Sequence, residues 1–253
     1  PQGISQDNDD LLEDYQRPKR IKTAIQKVDP EAEAQTPDAD YDGPIVLVNP
    51  IDHIFQFHKA LRSELKDLEK SSLELQQAAV AAESWRSGST LNSMISDLQA
   101  RFQFLRGIYK AHSRAEDEIV FPALESKETL SNVSHAYSLD HKQEEHLLEE
   151  VSSVVTAIEA CSSNFNLESL RSMTSKLSKM CAAIRASLET HVRAEEKELW
   201  PLFTEHFTIK EQEELVGMII GQTGAEVLQV MLSWVTKSMT EDERDAMMFS
   251  LKS

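Results

Sequence analysis

The sequence predicts an all-α protein, an up-down antiparallel four-helix bundle with extra C-terminal helices, and three observations carry that expectation. Only 7 Gly and 8 Pro occur in 253 residues, and the long stretches rich in Leu, Glu, Lys, Ala and Ser hold few β-branched runs. Apolar residues recur at helical spacing in four long segments, and the short connections between them place consecutive helices antiparallel. One segment also occurs twice without a gap, as His112-Ser-Arg-Ala-Glu116-Asp-Glu-Ile-Val-Phe-Pro122 and His191-Val-Arg-Ala-Glu195-Glu-Lys-Glu-Leu-Trp-Pro201.

Taken in order, the first helix starts at Pro50 and runs through Ile51, Ile54, Phe57, Leu61, Leu65 and Leu68 toward Gly88. The second covers about 90–121 through Met94, Leu98, Phe102, Leu105 and Ile108, with Pro122 disturbing its end. The third covers about 133–160 through Tyr137, Leu148, Val151, Val155 and Ile158. The fourth covers about 167–200 through Leu170, Leu177, Ile184 and Leu188, and Pro201 repeats the punctuation of Pro122. At about 1.5 Å per residue, helices of this length span roughly 40–50 Å. The tail adds helices over 210–220 and 225–239 and a last one opened by the capping box Thr240-Glu-Asp-Glu243. Its Met and Leu residues and Trp234 either pack on the bundle or form an interaction surface, and packing is the expectation.

These boundaries divide the chain into an acidic linker (1–44), the bundle (45–207) and a C-terminal helical extension (208–253). The linker has too few apolar residues to offset ordering entropy and reads as disordered. Within it, Arg17-Pro-Lys-Arg-Ile-Lys22 has the composition of a nuclear import signal. The chain begins at Pro rather than Met and so reads as a piece of something longer.

Composition excludes several functions. A formal net charge of −17 repels a phosphate backbone, so nucleic acid is not an expected partner. No apolar run approaches the roughly 20 residues of a membrane span, and no signal peptide is visible, so a membrane partner is not expected either. Cys161 and Cys181 form neither a disulfide framework nor a CxxC zinc motif. They read as reduced thiols of a nuclear or cytoplasmic protein.

In each copy of the repeat a His and a Glu stand four residues apart, hence on one helix face. Their neighbours on that face, Ile108, Ile119, Ile184, Leu188 and Leu199, are apolar. A carboxylate on a core-facing stripe requires a partner, because burying it alone is costly. His112 with Glu116 and His191 with Glu195 therefore read as metal ligands. The repeat extends to the other two helices, where Asp52-His53-Ile-Phe-Gln-Phe-His58 resembles Asp140-His141-Lys-Gln-Glu-Glu-His146. His58 is in step with Leu61, Leu65 and Leu68, whereas His53 lies about 140° away on an ideal helix. On the third helix His141 is in step with Leu148 and Val155, and His146 with Val151 and Val154. The choice falls on His141, with Glu145 one turn on as a further candidate.

His135 and His206 read as surface residues, and Tyr109 and Tyr137 as core packing. Arg114 and Arg193 point away from the metal face, toward supporting or inter-helix ion pairs, and most remaining acids of the two acidic runs read as solvated. Two such helix pairs about a pseudo-two-fold axis suit a dinuclear centre with bridging carboxylates. Zinc prefers four tetrahedral N/S ligands, so six or seven His and carboxylate ligands point to paired octahedral ions, iron above all. The expected cofactor is two iron ions with a bridging oxo or hydroxo group, held by His58, His112, Glu116, His141, His191 and Glu195.

The order H, HxxxE, H, HxxxE on four helices resembles haemerythrin-type domains over about 45–205. Oxygen-carrying haemerythrins have HxxxH on the third helix and HxxxxD on the fourth. Here those places hold His141-Lys-Gln-Glu-Glu145 and His191-Val-Arg-Ala-Glu195, so simple reversible oxygen carriage is not implied. The pattern is more similar to the iron-sensing haemerythrin domain of the animal F-box protein, and more similar still to plant BRUTUS-type ligases. Phe57-His-Lys-Ala, Tyr137-Ser-Leu-Asp-His-Lys and Gly224-Ala-Glu-Val-Leu-Gln resemble the latter.

The resemblance implies a di-iron regulatory domain sensing iron, or oxygen or redox state, within a larger E3 ubiquitin ligase. Such ligases control iron homeostasis by promoting ubiquitination of transcription regulators, which become the implied protein partners. The sequence carries no RING or zinc-finger cysteine pattern, so no catalysis is expected in this fragment. The alternatives are a di-iron redox enzyme, or an oxygen- or nitric oxide-reactive protein, and a metal-free interaction bundle.

Overall fold

Four long helices and several shorter ones make up the described residues of the computed structural model, 49–82, 88–163 and 166–250. The expected acidic linker and its basic cluster lie outside the described residues. After a 3-10 turn at Pro50–Asp52 come α1 (His53–Ala81) and α2 (Gly88–Ala115), the latter continued by a π turn (Glu116–Val120) and a short α3 (Phe121–Glu125). A connection containing the 3-10 turn Glu128–Leu130 leads to α4 (His135–Ser163). Then follow α5 (Leu167–Glu198), α6 (Trp200–His206), α7 (Ile209–Thr223), α8 (Ala225–Lys237) and α9 (Glu241–Ser250). No strand occurs among the described residues.

Side-chain pairs fix the directions of the four long helices. Arg171, near the start of α5, donates to the carbonyls of Ala79 and Ala82 at the end of α1, while His58 near the start of α1 meets Glu195 and Glu196 near the end of α5. Gln99 meets Glu159 at one end of the α2–α4 pair, and Glu116 meets His141 at the other. Cys161 contacts Met173, and Glu144 contacts Ser187, so α4 and α5 are also antiparallel. The helices thus close a ring α1–α2–α4–α5 of alternating direction, the expected up-down bundle.

Two boundaries differ from expectation. α1 stops at Ala81, because Arg171 takes its last carbonyls and Ala82 is extended, and Gly88 opens α2 instead of closing α1. Pro122 does not end the second helix. A proline lacks the N–H and its ring collides with the carbonyl four residues back. The π turn just before it, closed by Phe121 N–H to the Glu116 carbonyl, widens the coil and lets helix continue to Glu125. At the equivalent point of the repeat the chain breaks instead, at Leu199, and restarts with Pro201 in the first turn of α6.

The core has two parts. Leu61, Leu65, Leu68, Phe102, Leu105, Val151, Val155, Leu177 and Ile184 fill the length of the bundle. Val120, Phe121, Leu124, Trp200, Phe203 and Leu215 close one end. Fully burying a side chain of this kind is worth roughly 1.5–3 kcal/mol. α7 packs across the Pro50–Asp52 turn and the π turn. It is opened by a capping box between Thr208 and Glu211, and Glu211 also pairs with Lys127 at 2.9 Å.

Gly224, at φ 77°, is where α7 and α8 meet at 112°. A side chain there would meet nothing in space but would have to adopt the left-handed conformation that glycine accepts freely. α8 and α9 return to α1, as expected of the tail. Trp234, Val235, Met239 and Met247 join the main core, and Lys59 pairs with the buried Glu243 at 3.1 Å. Glu243 also closes the expected capping box with Thr240. No single helix among the described residues is long and apolar enough to cross a membrane.

Candidate metal centre

The N-terminal ends of α1 and α4 and the C-terminal ends of α2 and α5 meet at one level of the bundle, between the two apolar clusters. At that level all six sequence-predicted ligands are buried. They form two four-residue groups, His58, His112, Glu116, Glu195 and Glu116, His141, His191, Glu195, whose ligand atoms lie within 4.8 Å of one another. Both glutamates belong to both groups. Glu116 Oε2 lies 3.2 Å from His112 Nε2 and 3.4 Å from His141 Nε2. Glu195 points Oε1 at His191 Nε2, 3.2 Å away, and Oε2 at His58 Nε2, 3.8 Å away. His53 and His146 stand outside both groups, and His146 is exposed beside Glu150.

Each imidazole rests against its own aromatic ring. Phe57 stacks on His112 at 4.4 Å and Phe121 on His141 at 5.5 Å, while Trp200 and Tyr137 meet His58 and His191 edge-on, each at 5.9 Å. Phe121 and Trp200 occupy the same place in the two repeat copies, so the repeat supplies both a bridging Glu and a ring for the neighbouring helix. The likeness between the segments at His53 and His141 does not carry over into space. The inward residues are His58 and His141, so the structural match runs out of step with the sequence match.

Carboxylates stand behind three of the four imidazoles. His58 Nδ1 lies 3.0 Å from Glu196 Oε1, and His141 Nδ1 lies 3.1 Å from Asp117 Oδ2. His191 Nδ1 faces Glu144 at 3.5 Å and Asp140 at 3.7 Å. Of these only the His58–Glu196 pair has hydrogen-bond geometry, which fixes that ring and leaves its Nε2 facing the other ligands; Nδ1 of His141 and of His191 are buried near their carboxylates without a hydrogen bond. Glu196 is half-buried beside α1 and so departs from the expected solvation of most of these acids, whereas Asp117 stays exposed although it faces His141. Glu145 is corrected too. It is exposed beside Lys110, and Glu144 turns inward to accept from Tyr109 Oη at 2.5 Å and Ser187 Oγ at 3.2 Å. Arg114 makes an exposed ion pair with Glu118 on its own helix, neither a support for the ligands nor an inter-helix bridge.

The electrostatics are those of a site made for cations. Burial and the charge of Glu195 push the Glu116 carboxyl up to about 7, against the pull of His141 and His58. Burial would raise Glu195 as well, but His191, His58 and His141 outweigh it and hold Glu195 down. Burial disfavours charge on the imidazoles; Asp117 and Glu116 nevertheless bring His141 up to about 10, and Glu195, Glu144 and Asp140 raise His191. His112 goes the other way, lowered by burial and by the three other histidines.

Nε2 of His58, His112, His141 and His191, and both oxygens of Glu116 and of Glu195, are buried without a hydrogen-bond partner. Leaving that many polar atoms unsatisfied is costly, and they are the atoms that face one another. The donor set of imidazole nitrogen and carboxylate oxygen fits transition-metal ions, with the two glutamates placed to bridge a pair.

A metal and protons compete for these nitrogens, which fixes a pH prediction. The raised His141 stabilises the metal-free fold below about 6.5, an advantage lost as pH rises toward about 10, and the raised His191 acts in the same direction. The raised Glu116 costs nothing below about 4.5 and its full amount above about 7. Both signs weaken the metal-free fold as pH rises, while the same deprotonations favour metal binding. The gap in melting temperature between metal-loaded and chelator-treated protein should widen from pH 6 to pH 9. A constant or narrowing gap in paired melting curves would contradict this electrostatic account.

The fold and site define a four-helix metal-binding domain of the histidine–carboxylate type, and comparison with known proteins names the class. Residues 49–203 match the model of the haemerythrin HHE cation-binding domain, and the chain belongs to that family. It is 42% identical over 226 residues to zinc finger protein BRUTUS of Arabidopsis thaliana, covering 80% of this chain and 17% of that protein. Two BRUTUS-like zinc finger proteins of the same plant are 36% and 34% identical, over 79% and 82% of this chain and 15% and 16% of their own lengths. The chain thus spans about a sixth of the length of these relatives. No solved structure gives a significant match.

Proposed function

We propose that this chain is an iron-sensing regulatory domain that binds two iron ions and reports their presence to a larger BRUTUS-like E3 ubiquitin ligase controlling iron homeostasis. The observation that carries the reading is the pair of ligand groups sharing Glu116 and Glu195, with their facing atoms otherwise unsatisfied. His58 and His112 would hold one ion and His141 and His191 the other, with Glu116 and Glu195 shared by both groups. Nitrogen and oxygen ligands without thiolate suit iron better than structural zinc.

Iron bound there supplies bonds that tie four helices together at one level. The residues themselves orient the imidazoles, exclude water with four aromatic rings and keep the carboxylates apart from solvent. Reporting is a matter of stability and partner choice, with transcription regulators reached through the parent ligase in the nucleus or cytoplasm. The experiment is anaerobic reconstitution with ferrous iron followed by metal analysis. Two ions per chain are expected, with the same result for His146→Ala and His206→Ala; one ion, or none, would end the di-iron reading.

A further inference from the structure

We infer, resting on the metal-binding reading of the site, that Arg62 and Glu196 are positioning residues of the metal centre: together they hold His58 in the one orientation and tautomer that turns its Nε2 toward the other ligands. Glu196 Oε1 lies 3.0 Å from His58 Nδ1 and accepts from Arg62 Nη1 at 2.8 Å. A carboxylate paired with a guanidinium has no proton to give, so His58 Nδ1 is the donor. The proton then sits on Nδ1, and Nε2 keeps its lone pair. That Nε2 is buried without a hydrogen-bond partner, 3.8 Å from Glu195 Oε2.

Arg62 follows His58 by four residues, so both stand on one face of α1 and reach the same oxygen of α5. His58 is buried, and Glu196 and Arg62 are half-buried, which strengthens the hydrogen bonds between them. The repeat shows what Arg62 adds. Asp117 holds the place of Glu196 in the first copy and faces His141 Nδ1 at 3.1 Å, yet it stays exposed and makes no hydrogen bond to that nitrogen. Four residues after His141, where α1 has Arg62, α4 has Glu145, an acid beside Lys110. The first copy thus lacks the arginine at the place from which Arg62 holds Glu196. Losing a carboxylate partner behind a ligand imidazole costs roughly 10–100-fold in metal affinity.

The test pairs nitrogen NMR of labelled histidine in the metal-free protein with a cobalt(II) titration read by visible absorption. At pH 8 the His58 signals of the parent, assigned by their loss in His58→Ala, should be those of the Nδ1–H tautomer. Glu196→Leu keeps the volume but removes the acceptor; it should give a mixture with the Nε2–H tautomer and weaken cobalt binding by about tenfold or more. Glu196→Gln keeps an acceptor oxygen and should restore the tautomer and most of the affinity. Arg62→Met should fall between the two, and because it removes nothing from the core it carries the test should Glu196→Leu fail to fold. The parent's tautomer and affinity in both Glu196→Leu and Arg62→Met, or an equal loss in Glu196→Leu and Glu196→Gln, would overturn the positioning roles while leaving the metal centre intact. A parent that binds no cobalt would overturn the metal-binding reading itself.

Discussion

Stripping the metal should lower the stability of the bundle by about 4 kcal/mol under conditions where the ion is otherwise present at about a thousand times its dissociation constant. For a domain of this size that is roughly 10 °C in melting temperature. The loss should be local. The long apolar part of the core, with Leu65, Leu68, Phe102, Val155 and Leu177, owes nothing to the metal. The ligand level does, because Glu116 and Glu195 are then two buried carboxylates that have only the imidazoles to face.

Loosening at that level reaches the tail through α1. Phe57, next to His58, stacks on His112 and also meets Trp234 of α8 at 5.4 Å, and Lys59 holds Glu243 of α9. Amide exchange and limited proteolysis on matched metal-free and iron-loaded samples should show faster exchange in the first turns of α1, in α6 and in α8–α9, with the opposite end of the bundle unchanged. Equal protection over residues 50–205 would exclude sensing by local opening and favour the redox alternative.

The bundle and its inward faces were legible because the pattern is strong. His58 keeps step with three core leucines, and the duplicated HxxxE tolerates no other helical reading. The supporting groups were harder to see. Glu145 lies four residues after His141, but α4 turns its 137–141–144–148–151–155 stripe toward α5 and the core, so Glu144 is inside and Glu145 faces Lys110. That stripe was present in the sequence; which neighbour it would face was not.

Asp117 and Glu196 could have been found from their shared place after the bridging Glu in both copies. A flank position gains its histidine partner only when the next helix arrives, and a single helical pattern does not contain that helix. The match of His53 with His141 misled for a related reason. Local likeness is read along the chain, whereas the pseudo-symmetry that matters is set by which residues reach the axis. The π turn also escaped, since Pro122 signals a disturbance without specifying whether the coil widens or breaks.

Glu116→Gln should abolish binding of the ion pair and at the same time make the metal-free protein more stable. Glutamine preserves the shape and keeps an oxygen for His141, but it removes a charge that burial and Glu195 resist, with the carboxyl pushed up to about 7. A group that must ionise against such a shift costs the fold roughly 1–3 kcal/mol at pH 8, and the substitution returns that amount. Glu195→Gln lacks the benefit, because against burial His191 and its neighbours hold Glu195 in the charged form, and removing that charge leaves His191 without its closest partner.

Both variants should lose the pair, since each glutamate reaches one histidine of either group. Only Glu116→Gln should melt above the chelator-treated parent, a site residue whose function is bought with stability. Metal analysis together with denaturant unfolding of the two variants at pH 8 is the measurement. A Glu116→Gln protein that retains two ions, or whose metal-free form is less stable than the parent by the amount Glu195→Gln loses, would show that Glu116 is an ordinary buried hydrogen-bonding residue and not a bridge placed there for cations.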